Sequence, residues 1–359
     1  MDYKWEVDGE IHIYEERHIK RYLVAPMTMF PVLLKLQNGE LLAIVRGADY
    51  HVGERGRLDC VRSRDGGMSW SQPSVVAADG ADNRNASAIQ CSDGTILVPF
   101  FKADMYENGT YSAEKAKRDR TKIWITRSTD KGHTWSPPEP MAGLSPDICS
   151  PFGKTAQLAD GSMLATLYGL DSAGERDDHS WLYRSWDGGR TWGDRTLIGV
   201  PFNETSVLRL PSGKLLAGLR SCRADEDAVW VSDSPDEGRT WSEPRRVAGY
   251  MEHPADLLLL QSGSILLTYG RRRSPYGIQA ILSYDEGKTW DTKHRITLVC
   301  DAEDMEVGYP SSVQLDDGTI CTAYYSYQDL FHISDRFRGY NSWGLHTALV
   351  RYREEDILP

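Results

Sequence analysis

The 359-residue chain has no excess of positive charge: 41 Lys and Arg stand against 52 Asp and Glu, a formal net charge of −11. That balance argues against a nucleic-acid partner, because a phosphate backbone is bound through a basic surface. There is no apolar run approaching the ~18 residues of a membrane span. The opening residues Met1-Asp2-Tyr3-Lys4-Trp5-Glu6 lack the basic start and apolar stretch of a leader, so a cytoplasmic location with no membrane partner is expected. The six cysteines (60, 91, 149, 222, 300, 321) form no CxxC pair and no metal-ligand spacing. Reduced, buried thiols are therefore expected, with no metal site. Phosphate loops, dinucleotide fingerprints and low-complexity tracts are also missing, and no cofactor is expected.

What the chain does have is aromatic residues and repeats. Eleven Trp and eighteen Tyr are the kind of flat rings that stack on the C–H face of a pyranose. Two motifs alternate along the sequence. One is Ser-x-Asp-x-Gly-x-x-Trp, at Ser63–Trp70, Ser128–Trp135, Ser185–Trp192, Ser234–Trp241 and Ser283–Trp290. The other is an apolar run broken by a polar residue and glycine, at Gly39, Gly94, Gly161, Gly213, Gly263 and Gly318, each followed by an apolar strand. Asn-Gly and Asp-Gly supply the positive φ angles of a tight two-residue hairpin.

The hairpin glycines lie 50 to 67 residues apart, the period of a four-stranded propeller blade rather than of a helical repeat. The fold expected is all-β: one six-bladed β-propeller over residues 1–359. Its blades fall near 26–80, 82–142, 145–199, 201–249, 252–299 and 305–353. Blade six lacks the second motif and ends with the chain, so its outer strand is expected from the N-terminal stretch within 11–24, which closes the ring and removes open edges.

The five Ser/Asp/Gly/Trp turns resemble the Asp-boxes of sialidases, and the resemblance extends along nearly the whole chain. It implies that these turns serve folding at the blade periphery and that chemistry sits on the axial face. There, the starts of the inner strands carry Asp82, Arg84, Asn85, Asn203, Glu204, His253, Asp256 and Tyr309. The stretch Gly308-Tyr309-Pro310-Ser311-Ser312 is similar to the segment bearing the sialidase nucleophilic tyrosine. Asn203-Glu204-Thr205-Ser206 is similar to the segment bearing its base, and Arg220 matches one of three arginines that grip the substrate carboxylate. The first of those arginines is replaced, since Met29-Phe30-Pro31 stands where Arg-Ile-Pro begins the family's first blade. The position for the third falls at Tyr276-Gly277. Arg46, Arg84 and Arg271, with Arg272 and Arg273, are candidates to rebuild an anion site, or else they pair with Asp82 and Asp256. The acid/base carboxylate of the family belongs in the loop after the second strand of blade one, where both Asp49 and Glu54 qualify.

The resemblance implies retaining hydrolysis of a terminal acidic sugar, a sialic or related ulosonic acid, with a glycan as partner. A phenol attacks only when a neighbouring base takes its proton. Two rival readings use the same propeller: a uronate lyase with His253 and Tyr309 as acid/base pair (or a two-carboxylate glycosidase), and a glycan-binding propeller without chemistry. The inserts Lys102–Lys122 and Ser326–Trp343 are expected to overhang the ligand face or to form a subunit contact.

Overall fold

The computed structural model describes every residue except 1, 8–9, 16–18, 49–50, 52, 54, 104–105, 109, 113, 116–121, 147, 172–176, 328–343 and 359, and describes 2–7, 10–15 and 111 by backbone alone. The chain is all-β, a ring of six antiparallel four-stranded sheets, and among the described residues the longest named helical element is a three-residue turn, Glu354–Asp356. Blade one runs Thr28–Lys35, Leu41–Gly47, Arg57–Ser63 and Ser74–Ala77 from axis to rim. Blade four runs Ser206–Arg209, Leu215–Arg220, Val229–Ser234 and Arg245–Arg246. Blade five runs Glu252–Leu259, Ile265–Arg271, Gly277–Ser283 and Ile296–Val299. In blades two and three the inner strand is broken into two short pieces. No helix among the described residues is long and apolar enough to cross a membrane.

Closure uses the N-terminal segment. Lys20–Pro26 pairs with Leu345–Tyr352 and completes blade six, two residues beyond the expected stretch. The residues just before it have another place: Glu10–Glu15 meets the outer strand of blade five through Ile13 and Ile296, and Asp2–Val7 pairs back on it.

The six hairpins differ from the expected two-residue form. In each, the residue before the loop accepts from the glycine amide and donates to a carbonyl four positions on, as Gly39 N to Leu36 O (2.8 Å) and Leu36 N to Glu40 O (2.9 Å). Only the glycine is left-handed, at φ between +84° and +92°. This is a three-residue loop ending in a glycine bulge, so one positive φ suffices and the preceding position accepts Asn, Asp or Ser equally.

The Ser/Asp/Gly/Trp turns are built alike. In blade three, Ser185 Oγ donates to Asp187 Oδ1 (2.8 Å) and accepts from Gly189 N (2.9 Å), while Asp187 takes the Thr191 amide and hydroxyl (2.9 and 2.6 Å). A hydroxyl at the seventh position recurs in all five copies, each bonded to the Asp. Sequence reading left that position open. A Cβ on the fifth-position glycine would meet the blade before it: Leu349 for Gly67, Leu42 for Gly132, Leu97 for Gly189, Leu182 for Gly238 and Leu216 for Gly287. The turns therefore lock neighbouring blades together. Blade six lacks one, and the C-terminal turn takes its place: Ile357 packs with Leu260, Leu266 and Leu282 of blade five, and Glu354 accepts from Ser262 Oγ (2.7 Å). None of the six cysteines is in a disulfide; three are buried and three only half-buried.

Candidate functional site

The inner strands of blades one, five and six each begin with a bulge of the same kind. Pairing jumps from Met29 to Val32, from Glu252 to Ala255 and from Gly308 to Ser311. Each jump contains one residue followed by proline: Phe30, His253 and Tyr309. Proline has no amide to donate, so the ladder breaks there and the preceding side chain is re-aimed. Phe30 and Tyr309 sit at φ +54° and +50°, and Asn85 in blade two at +47°. A bulky side chain in that region costs about 1–3 kcal/mol, a strain that concentrates at functional sites.

Tyr309 is thereby brought into the channel among Phe30, Phe152 and Tyr325, with ring centroids 4.7, 5.8 and 5.8 Å away. Its hydroxyl donates to Glu204 Oε1 across the ring from blade six to blade four. Tyr309 is 8 % exposed and Glu204 4 %, so both members of the pair are buried. Glu204 faces Arg220 across the blade-four hairpin, where the backbones of the two residues also bond, and Arg220 Nη1 donates to Glu204 Oε2 (2.8 Å). Arg220 Nε donates to Asp227 Oδ1 (3.2 Å), and the other Asp227 oxygen lies 2.9 Å from His253 Nε2.

Arg272 completes the set. Its guanidinium lies over the Tyr309 ring, 5.4 Å from the centroid, and donates to the Val307 carbonyl (3.1 Å) and the Tyr325 hydroxyl (3.2 Å). Tyr325 in turn donates to Glu306 Oε2 (3.2 Å), which is 2.7 Å from His51 Nδ1.

The charge states follow from these contacts. Burial pushes Glu204 upward, but Arg220, the Tyr309 hydroxyl and Arg272 outweigh it and leave the carboxyl below its usual range. Burial and then the Glu204 charge hold the Tyr309 phenol well above its ordinary value, against the pull of Arg220 and Arg272. At rest the proton is therefore on the phenol. Burial lowers His253 to about 4; Arg220 and Arg272 add to that, Asp227 opposes it, and the imidazole is neutral at pH 7.

Several expected residues have other partners. Arg46 and Asp82 are both fully buried and paired with each other (Nε to Oδ1 2.8 Å), joining blades one and two beneath the surface rather than facing a ligand. Asp256 takes Lys154 Nζ on both oxygens (3.0 Å each) and the Ser312 amide, tying blades three, five and six. Arg271 is held with Arg273 and Arg295 around the buried Glu252 (3.1, 3.0 and 2.9 Å). Successive residues along an extended strand point to opposite faces, so it is Arg272 that reaches Tyr309. Arg84 is buried as well, its Nη1 3.5 Å from the second Asp82 oxygen and its guanidinium 5.5 Å from the Phe30 ring centroid and 5.6 Å from that of Phe101. Asp49, Glu54 and residues 328–343 of the blade-six insert lie outside the described residues.

Sequence reading did not single out His51, Asp227, Glu306 or Tyr325. His51 lies in the same blade-one loop as Asp49 and Glu54, and its role shows only in the contact with Glu306, 255 residues away. Glu306 stands three residues before Tyr309, just outside the stretch Gly308–Ser312 that carries the resemblance.

The profile of the BNR repeat-like domain matches residues 106–321. A sialidase of Micromonospora viridifaciens is 27% identical over 216 residues, 53% of this chain and 32% of that protein, so the chain spans about a third of the length of the curated relative it matches. A protein of unknown function from Dyadobacter fermentans has the same fold at a TM-score of 0.77 and 23% identity, over 93% of this chain and 99% of its own. A Hadza microbial sialidase superposes at 0.72 and 20% identity (92% and 66% covered). The NanB sialidase of Streptococcus pneumoniae does so at 0.69 and 12% identity (96% and 70% covered). With the profile covering more than half of its length, the chain belongs to the BNR repeat-like family, within the superfamily of sialidase-like BNR propellers.

Proposed function

We propose that the chain is a retaining exo-glycosidase of sialidase type that removes a terminal acidic sugar, a sialic or related ulosonic acid, with Tyr309 as nucleophile and Glu204 as its base. The observation that carries the reading is the Tyr309–Glu204 hydrogen bond with two guanidinium groups beside it. Of these, Arg220 already serves two carboxylates. Arg272 is buried with neutral hydrogen-bond partners, and among the described residues no carboxylate lies within ion-pair range of it. A buried cation so placed favours an anionic ligand.

In the reaction, a substrate carboxylate settles against Arg272 and Arg220. Its charge offsets their hold on Glu204, whose proton affinity rises. Glu204 then takes the phenol proton as Tyr309 oxygen attacks the anomeric carbon and the aglycone departs. A neutral phenol approaches an anomeric carbon bearing a carboxylate with less repulsion than a second carboxylate would. Phe30 and Phe152, which line a small cavity with Tyr309, give the sugar an apolar wall.

Kinetics on ketosides of N-acetylneuraminic, deaminoneuraminic and 3-deoxy-octulosonic acids test the reading. Tyr309→Phe and Glu204→Gln should each lower turnover by about 10²–10⁴-fold, the scale of a lost proton-transfer partner. Arg272→Gln should raise KM roughly a hundredfold for these anions, as expected for a buried ion-pair partner. Full activity in Tyr309→Phe would remove the mechanism. Saturable binding without turnover by the wild type would favour a binding propeller. An absorbance rise from an unsaturated product on uronides would favour elimination by His253.

A further inference from the structure

Retaining hydrolysis needs a second proton carrier. One group must protonate the departing oxygen and later draw a proton from water. In an exo-acting channel that group belongs on the solvent side of the nucleophile, because the aglycone leaves through the mouth. Such a group must also be open enough to exchange its proton with water and must be held in one orientation. Glu204 is buried and committed to the phenol, so it does not exchange its proton freely with water. His253 is 1 % exposed and turned to Asp227. Asp256 is bound by Lys154 and Ser312.

His51 meets the conditions. Its side chain is 33 % exposed and Nδ1 lies 2.7 Å from Glu306 Oε2, itself 32 % exposed. Its ring stands edge-on to Phe30 at 5.0 Å, and Phe30 packs tilted against Tyr309 at 4.7 Å, so both the imidazole and the phenol border the same aromatic ring. Glu306 is fixed on its other side by the Tyr325 hydroxyl, which also receives Arg272. The chain Arg272–Tyr325–Glu306–His51 thus links the cation that would hold the substrate's carboxylate to the imidazole at the mouth.

We propose that His51 is the general acid and base of the hydrolysis, oriented by Glu306. The assignment rests on the hydrolase reading above. In the first step the imidazolium, its Nδ1–H donating to Glu306, gives its Nε2 proton to the glycosidic oxygen. The bond from that oxygen to the anomeric carbon breaks as the Tyr309 oxygen bonds to that carbon, and Glu204 keeps the phenol proton. In the second step the neutral imidazole takes a proton from a water whose oxygen attacks the anomeric carbon. The Tyr309 bond breaks, the phenolate recovers its proton from Glu204, and His51 is again an imidazolium. Glu306 remains a carboxylate throughout and acts by position.

The test compares two ketosides of the sugar that the wild type accepts, one with a 4-nitrophenyl aglycone and one with lactose. A nitrophenolate departs without an acid, whereas an alkyl oxygen does not. His51→Gln should lose about 10²–10⁴-fold on the lactosyl ketoside. On the nitrophenyl ketoside it should release a rapid burst followed by a slow steady state, because the covalent intermediate then lacks its base. Azide, which needs no deprotonation, should restore the steady rate. Glu306→Gln should show the same dependence on leaving group to a smaller extent, with KM unchanged.

Equal losses on both aglycones with no burst would overturn the assignment. So would the same signature appearing in Asp49→Asn or Glu54→Gln while His51→Gln behaves as wild type. If the wild type turns over no ketoside in the panel, the hydrolase reading itself fails, an outcome distinct from a wild type that works and a His51→Gln variant that is unimpaired.

Discussion

His253 shows how much a single buried ring is shaped by its neighbours. It fills the blade-five bulge where Tyr309 fills that of blade six, yet it meets Asp227 from blade four and has Arg220 and Arg272 close enough to repel its charged form. The folded protein holds it neutral down to about pH 4, whereas the unfolded chain takes up that proton near 6.5. A histidine with a depressed folded value binds more protons when unfolded, so its contribution is complete above pH 6.5 and is lost as pH falls towards 4. At 1.36 kcal/mol per pH unit the loss reaches about 3 kcal/mol. His253→Gln should therefore flatten the decline of the urea midpoint between pH 6.5 and 4.5, and an unchanged slope would show that the imidazole is not held neutral. The Asp-box carboxylates titrate lower, Asp65 and Asp236 at about 2, because turn amides and hydroxyls bond their charged forms. Their acid sensitivity thus falls outside this window.

At the scale of the element, the turn at Ser185–Trp192 is held by a buried hydroxyl serving two partners at once. Ser185→Ala leaves the Gly189 amide and one Asp187 oxygen without that bond, a loss of about 1–3 kcal/mol for a buried polar group. Urea unfolding should show a lower midpoint with an unchanged slope, and turnover per folded molecule should stay at the wild-type level because the turn is remote from the phenol. A midpoint unchanged from wild type would mean that the Asp and Trp suffice. Elements of this kind were readable from the sequence because their causes are local. The repeat gave blade count and turn positions, and hairpin symmetry about Ser212 places Glu204 opposite Arg220, as the register Ser206–Gly218 shows. The same local logic failed for Arg271. Only the phase of the strand relative to the bulge at Glu252 decides which of two adjacent arginines faces the axis, and that bulge leaves no mark beyond a proline.

The whole molecule decides what local patterns cannot. Tyr309 and Glu204 are 105 residues apart and meet only because the ring closes at a fixed angle between blades four and six. The resemblance to sialidases reached this pair, but Arg46 and Asp82, which look equally polar in sequence, end in a sealed ion pair between blades one and two. Closure itself depends on Lys20–Pro26. Beyond the pairing with Leu345–Tyr352, its Val24 and Ala25 join a core that includes Leu33, Leu41 and Val45 of blade one and Cys321 and Leu349 of blade six. Removing residues 1–26 should expose the edge of Leu345–Tyr352 and divide that core, so the protein should lose its cooperative thermal transition and aggregate. Removing residues 1–15 takes away only the pair of strands at the rim of blade five, where one registered pair, Ile13 with Ile296, joins them to the sheet. That truncation should keep a single calorimetric transition only slightly below the full chain, and it should keep the turnover. If the chain lacking residues 1–26 also keeps its cooperative transition and its turnover, the ring is held by its blade-to-blade turns rather than by the closing strand, and the axial site does not need the two chain ends to meet.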